Sequence, residues 1–225
     1  MGEFTPRLDI LPDRQRKLWP RLSAVPRDFV LYGGTALALR FGQRQSMDFD
    51  FFSDREFRPD DLVAEIPLLR GSTPEQAVPN TLTVDADGTR LSFFGGVGFP
   101  VLAPADLIGE NSLAVASPLD LAGTKAKVLL DRIEVKDYLD ICALLTAGLS
   151  LDWIIGSFVA LFPQGNPMLV ARALAFFDDP GLAELPVKAR HQLTTAVAKT
   201  RQYRTPEPSF PSISIGVRAV RAAAT

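Results

Sequence analysis

Apolar and polar residues alternate in two different rhythms along this 225-residue chain. Between Phe29 and Phe52 (FVLYGGTALALRFGQRQSMDFDFF) a short apolar run meets Gly33-Gly34, then a helical run over Ala36, Leu37, Ala38 and Leu39, then an aromatic and acidic alternation. That order predicts strand, tight turn, short helix and second strand. From Thr81 to Phe94 two alternating runs flank Asp87-Gly88, a hairpin signal. Ser117-Pro118 opens a helix running to Arg132, Ile133 to Val135 breaks it, and a second helix follows from Lys136 until Gly148 ends it. Beyond Leu151, three more helical runs are punctuated by Pro163, Gly165, Pro180-Gly181 and Pro186. Upstream, Asp9 to Val25 reads as a helix opened near Pro12-Asp13, with Pro20 as a kink. The run after Phe52 gives a helix with Pro59, Asp60 and Asp61 in its first turn, residues that suit a helix N-terminus.

These elements predict an α/β (α+β) protein. A core with a small mixed sheet occupies residues 1–115, a helical region 116–204, and a Pro- and Ser-rich extended tail 205–225.

The pattern places chemistry at one strand. On an extended chain side chains alternate, so Asp48 and Asp50 share a face while Phe49 and Phe51 point into apolar packing. Carboxylates this close raise each other's pKa, and a cation relieves the repulsion. Magnesium suits them, because it takes oxygen ligands and binds through one or two carboxylates plus substrate phosphates. The same parity puts Arg44 and Ser46 on the carboxylate side. Gly33, Gly34 and Thr35 offer backbone N–H groups at a helix N-terminus, which favours phosphate. A DxD pair alone is more often a pair of solvated turn or cap residues than a metal site. The flanking Met47 and Phe51-Phe52, and the order glycine turn, helix, DxD strand, argue for a site.

Composition narrows the alternatives. Hydrophobic residues make up 47% and charged residues 22%, an ordinary globular balance that allows a sizeable core. The N-terminus, MGEFTPRLDI, lacks the apolar core of a signal peptide and no run is long enough for a membrane span, so the expected compartment is the cytoplasm, with no membrane partner. Cys142 alone permits no internal disulfide, and its apolar surroundings read as packing. With His191 the one histidine, serine-triad, Cys-His and histidine–metal chemistries are disfavoured. Net charge is −2, but Pro186 to Thr225 carries seven basic residues against Glu207. That end would bind a polyanion such as RNA or lie against the chain's own acidic surface.

GGTALAL followed by RxSxDFDFF resembles the nucleotidyltransferase toxins of abortive-infection and toxin–antitoxin systems, the AbiEii-like family within the DNA polymerase β-like superfamily. The resemblance covers roughly Leu8 to Leu145. It implies a polymerase β-like core in which Gly33 and Gly34 hold the phosphates of a nucleoside triphosphate and Asp48 and Asp50 hold magnesium. TKAKVLLDRIEVKDYLDI resembles the family's downstream motif. That implies Lys125 on the nucleotide phosphates with Arg132 beside it, and Asp137 or Asp140 orienting Lys125 or the attacking group. Lys136 stands where the family often has arginine, a change tolerable for a point charge only. A third carboxylate, usual on a strand near Arg90 to Phe93, is replaced by Ser92; Asp85 and Asp87 look like turn residues, so a site with one magnesium is expected. The resemblance further implies a toxin that modifies RNA, transfer RNA included, silenced by a cognate antitoxin.

Arg55 and Arg58 read as phosphate contacts or as exposed loop arginines. Two other functions share the core: nucleotidyl transfer to a small molecule of the aminoglycoside type, and a non-catalytic interaction module.

Overall fold

The computed structural model describes residues 5–108 and 113–224. Met1–Phe4 of the amino-terminal segment read for targeting, and Thr225, lie outside them. The chain divides into two compact units, Met1–Ser117 with Ser209–Thr225, and Pro118–Pro208.

The first unit is built on a mixed sheet. Its elements are α1 (Asp13–Leu18), β1 (Val30–Tyr32), α2 (Gly33–Phe41), β2 (Asp48–Phe52), α3 (Pro59–Glu65), β3 (Pro74–Val78), β4 (Thr81–Ala86), β5 (Thr89–Phe94), β6 (Asp106–Ile108) and β7 (Leu113–Val115). Among the described residues the strands lie in the order β3-β4-β5-β2-β1-β7-β6. β1 pairs antiparallel with β2 and parallel with β7, while β2 pairs parallel with β5. The expected helix over Asp9 to Val25 is shorter: α1 ends at Leu18 and Trp19–Ala24 continues as 3-10 helix. Pro20 causes the change, because it has no N–H to give to Arg16 and its ring crowds that carbonyl.

Alternation along β2 sorts its side chains. Phe49 and Phe51 are fully buried, whereas Asp48, Asp50 and Phe52 are half-buried. Phe51 stacks on Phe93 with ring centroids 5.2 Å apart, and Phe29 meets Phe93 edge-on at 5.4 Å. Each such ring contributes about 1.5–3 kcal/mol through burial. A register slip of one residue would drive two carboxylates into this aromatic layer, so the core fixes which face the acids occupy.

The hairpin forms where the sequence predicts it. Asp87 and Gly88 have φ of 55° and 76°, the positive pair of a type I′ turn, and Asp85 Oδ1 accepts the Gly88 N–H at 2.7 Å. Asp87 is therefore a turn residue as expected, whereas Asp85 lies on β4 opposite Arg90 and serves the turn through its carboxylate. β3 was not legible in the sequence, because all five of its residues are exposed and it carries no alternating apolar signal.

The second unit is helical: α4 (Pro118–Asp131), α5 (Val135–Thr146), α6 (Leu151–Leu161), α7 (Pro167–Ala173) and α8 (Val187–Lys199). Among the described residues no single helix is long and apolar enough to cross a membrane.

The tail expected to be extended over 205–225 instead ends in α9 (Ile213–Ala223) and belongs to the first unit. Ser209 and Phe210 bond the Val101 backbone, and Ile213, Gly216 and Val217 are buried at helical spacing. At the helix start, Asp54 accepts the Ser214 N–H and Oγ–H, each at 2.9 Å. A carboxylate at an N-terminus offsets orphan N–H groups and the helix dipole. Asp54 lies two residues beyond β2, so it could not be paired with Ser214 by reading the chain locally.

Candidate active site

Two constellations of chemically active side chains emerge, one in each unit. In the first unit, Tyr32 pairs with Asp50 in the β1–β2 ladder, so the chain leaves β1 and turns at Gly33 directly beside that acid. Gly33 has φ +71° and a Cβ there would lie 2.3 Å from Asp50 Oδ2. Only glycine tolerates both demands. A Cβ at Gly34 would lie 2.6 Å from Ser46 Oγ and 2.9 Å from an Arg44 guanidinium nitrogen. Arg44, Ser46 and Asp50 thus converge on the glycine pair.

α2 begins at Gly33, and Tyr32, its cap residue, makes no side-chain cap bond to the helix N-terminus. Thr35 was expected to bind nucleotide. Its side chain is fully buried and its hydroxyl donates to the Asp48 carbonyl oxygen, so it braces β2 and any nucleotide contact falls to its backbone N–H. Arg40, toward the far end of α2, donates from Nε to the Ala116 carbonyl at 2.9 Å and pairs with Asp106 at 2.6 Å. Nothing in the sequence marked Arg40, since its partners lie more than sixty positions away.

The Asp48 carboxylate has no hydrogen-bond or ion-pair partner among the described residues. Asp48 and Asp50 are hard oxygen donors on one half-buried face, backed by a glycine turn that leaves no room for a methyl group. That donor set fits a magnesium ion completed by water and phosphate oxygens. Ser92 lies opposite Asp50 in the β2–β5 ladder, where a third acid would share the same face, and Arg90 lies opposite Asp48. The Ser92 hydroxyl is buried 3.5 Å from Thr83 Oγ1. Arg55 pairs with Asp28 at 3.1 Å and Glu65 at 3.0 Å, the surface role weighed for it. Arg58 caps α3.

The second constellation lies where α4 and α5 pack. Lys125 is buried, with Nζ 3.0 Å from Asp137 Oδ1 and 2.7 Å from Asp140 Oδ2. Arg132 forks onto Asp137, Nε to Oδ2 at 2.9 Å and a terminal nitrogen to Oδ1 at 3.2 Å. Two cations thus balance two fully buried carboxylates. Burial pushes the Asp137 carboxyl up, but the Arg132 hydrogen bonds and the Lys125 charge outweigh it and hold the group below the ordinary carboxylate range. The sequence placed Asp137 and Asp140 on one face, and the fold adds that both grip the same ammonium. Arg132, expected on nucleotide phosphates, spends its fork on Asp137. Cys142 is buried and its thiol is pushed up to about 11 by that burial, while His191 is exposed on α8.

The chain as a whole is similar to known proteins. A protein of Aquifex aeolicus (strain VF5), aq_aa25, described as uncharacterized, is 28% identical over 155 residues, 68% of this chain and 75% of its own length. The crystal structure of a "putative nucleotidyltransferase" from H. pylori superposes with a TM-score of 0.52 at 15% identity, covering 81% of this chain and 91% of that one, a likeness of fold. The model of the family described as "Nucleotidyl transferase AbiEii toxin, Type IV TA system" matches residues 18–214. With the glycine turn, paired acids and Lys125 cluster all inside that span, the chain belongs to the AbiEii nucleotidyl transferase toxin family.

Proposed function

We propose that this nucleotidyltransferase moves a nucleotide from a nucleoside triphosphate to a hydroxyl of an RNA acceptor, with magnesium held by Asp48 and Asp50. The observation that carries the proposal is the contact between Asp50 and the Gly33 turn, which brings paired carboxylates and helix N-terminal amides to one place. Phosphate oxygens suit those amides, and Arg44 and Ser46 add a charge and a hydroxyl beside Gly34. When bound, the cation supplies charge neutralisation for the triphosphate.

Attack by the acceptor oxygen on the α-phosphorus forms the new ester. Pyrophosphate leaves with the electron pair of the broken bond, and the hydroxyl proton passes to water. Little covalent work falls to the protein, so orientation and charge stabilisation are what its residues provide. The resemblance supports phosphate-directed roles for Lys125 and Arg132 and an orienting role for Asp137 and Asp140. The type IV description of the family supports a cognate antitoxin as partner.

Incubation with each labelled nucleoside triphosphate, magnesium and total cellular RNA tests the reading, with chelator as control. Label should enter RNA only when magnesium is free. Label entering aminoglycosides and never RNA would replace the acceptor class. If calorimetry found no magnesium-dependent nucleotide binding, the fold would be serving as an interaction module.

A further inference from the structure

Resting on the reading that the acceptor is an RNA, we propose that the helical unit carries a docking groove for the phosphate backbone of that RNA, formed by Lys188, Lys199, Arg201 and Arg204. The groove has a volume of about 810 Å³ and lies between α8 with the segment after it, the end of α5 and the start of α6. Lys188, His191, Gln192, Thr195 and Lys199 all line it. They recur at three- and four-residue spacing, so one stripe of α8 faces the groove.

Charge is segregated here. Pro118 to Pro208 holds ten basic and ten acidic residues, and α8 holds no acidic residue. Four cations nevertheless line the groove against one acid, Asp152. Asp152 pairs with Arg204 at 2.7 Å, and that guanidinium also lies 5.9 Å from the centre of the Trp153 ring. Lys188, Lys199 and Arg201 are exposed and have no acidic partner among the described residues. Elsewhere in the same unit four cations are paired with acids, Lys125 with Asp137 and Asp140, Lys127 with Asp131, Lys136 with Glu134 and Arg132 with Asp137, while Arg190 donates to backbone carbonyls and Arg172 stands without an acidic partner among the described residues. Concentrating unmatched cations around one concavity favours a polyanion.

The spread of charge selects among polyanions. Lys188 and Lys199 stand about 16 Å apart along the helix axis, too far to share one phosphate and suited to several along a strand. Hydrogen-bonding side chains lie between them, and the lining holds no Phe, Tyr or Trp and a single imidazole, His191, so the fit is to backbone phosphates more than to a run of stacked bases. An acidic peptide is the competing occupant.

A labelled transfer RNA pool, titrated by fluorescence anisotropy across a salt series, reads the groove directly. Replacing Lys188→Gln, Lys199→Gln and Arg201→Gln together should weaken RNA binding at least tenfold at low salt and flatten the log K against log salt slope by about 2–3. Magnesium-dependent nucleotide binding by calorimetry should persist in this variant. Wild-type affinity and slope in the variant would overturn the proposal, as would displacement of RNA by poly-glutamate at equal charge. Should the triple variant fail to fold, each single variant should flatten the slope by about 0.7–0.9, and unchanged slopes in all three would also overturn it. A wild-type protein that binds RNA through these residues yet transfers no nucleotide supports the groove and sinks the transferase reading. Wild-type transfer by the variant at limiting RNA sinks the groove and leaves the transferase reading standing.

Discussion

Asp50 Oδ2 lies 2.3 Å from where a Cβ on Gly33 would stand, so the acid and the turn share a volume that only a glycine leaves open. Gly33→Ala therefore carries two penalties, a methyl group against a carboxylate and a left-handed φ of +71°. The backbone strain costs about 1–2 kcal/mol. The displaced carboxylate should cost more in activity than in stability. Denaturant unfolding should show a folded protein with a modest loss, while nucleotide transfer to RNA falls at least about tenfold, roughly 1.4 kcal/mol in barrier height. A fully active variant would show that the turn and Asp50 can separate without consequence.

Asp48→Asn and Asp50→Asn keep shape and remove charge. Both side chains are half-buried and point away from the aromatic layer of Phe49 and Phe51, so the fold should survive. Without magnesium Asp48→Asn should melt at or slightly above the wild-type temperature, because one of two neighbouring like charges is gone. With magnesium and nucleotide, the wild type should gain stability by mass action and the variants should not. Transfer should fall below about 1% of wild type, roughly 2.7 kcal/mol in barrier height. A thermal shift that persists in either variant would move the metal elsewhere.

Lys125→Ala separates support from chemistry. Removing the ammonium leaves Asp137 and Asp140 buried with one fewer cation, and breaking a buried pair this way costs about 3–5 kcal/mol. Adding Asp140→Asn should restore part of that loss, since one uncompensated carboxylate disappears. Transfer measured on the restored double variant is decisive. With Asp140→Asn alone as the reference, a rate that stays lower in the double variant would place Lys125 on the substrate, and a rate that returns with stability would make the cluster a brace.

Much of this was legible in the sequence, and the losses have physical causes. Period-two alternation placed Asp48 and Asp50 on one face because Phe49 and Phe51 have nowhere else to go. Asp87-Gly88 announced its hairpin because few residues accept two consecutive positive φ values. Helical spacing put Asp137 and Asp140 on one face without saying what meets that face; the resemblance implied that one of them orients Lys125, and the fold has both on its ammonium. α9 was misread as tail because Pro and Ser precede it and its partner, Asp54, lies 160 positions upstream. The Thr35 hydroxyl's bond to the Asp48 carbonyl was likewise hidden, because the two meet only once β2 lies beside α2.

Acid should unlock the second unit through Asp137. Its folded pKa is depressed, net of burial, by Arg132 and Lys125. A depressed carboxylate contributes stability that is complete above its unfolded pKa, near about 4, and lost as pH falls through the folded value. Urea midpoints should therefore be flat with respect to this group from neutral pH down to about 5 and decline below about 4. Asp137→Asn should be less stable than wild type at neutral pH, with the gap closing as acid protonates the wild-type group. Asp54, lowered by the Ser212 and Ser214 hydrogen bonds that outweigh its burial, titrates in the same sense on the other unit. Asp54→Asn thus serves as the reference. If the gap between wild type and Asp137→Asn stayed constant with pH while that for Asp54→Asn closed, Asp137 would owe its place to packing alone and not to its two cations.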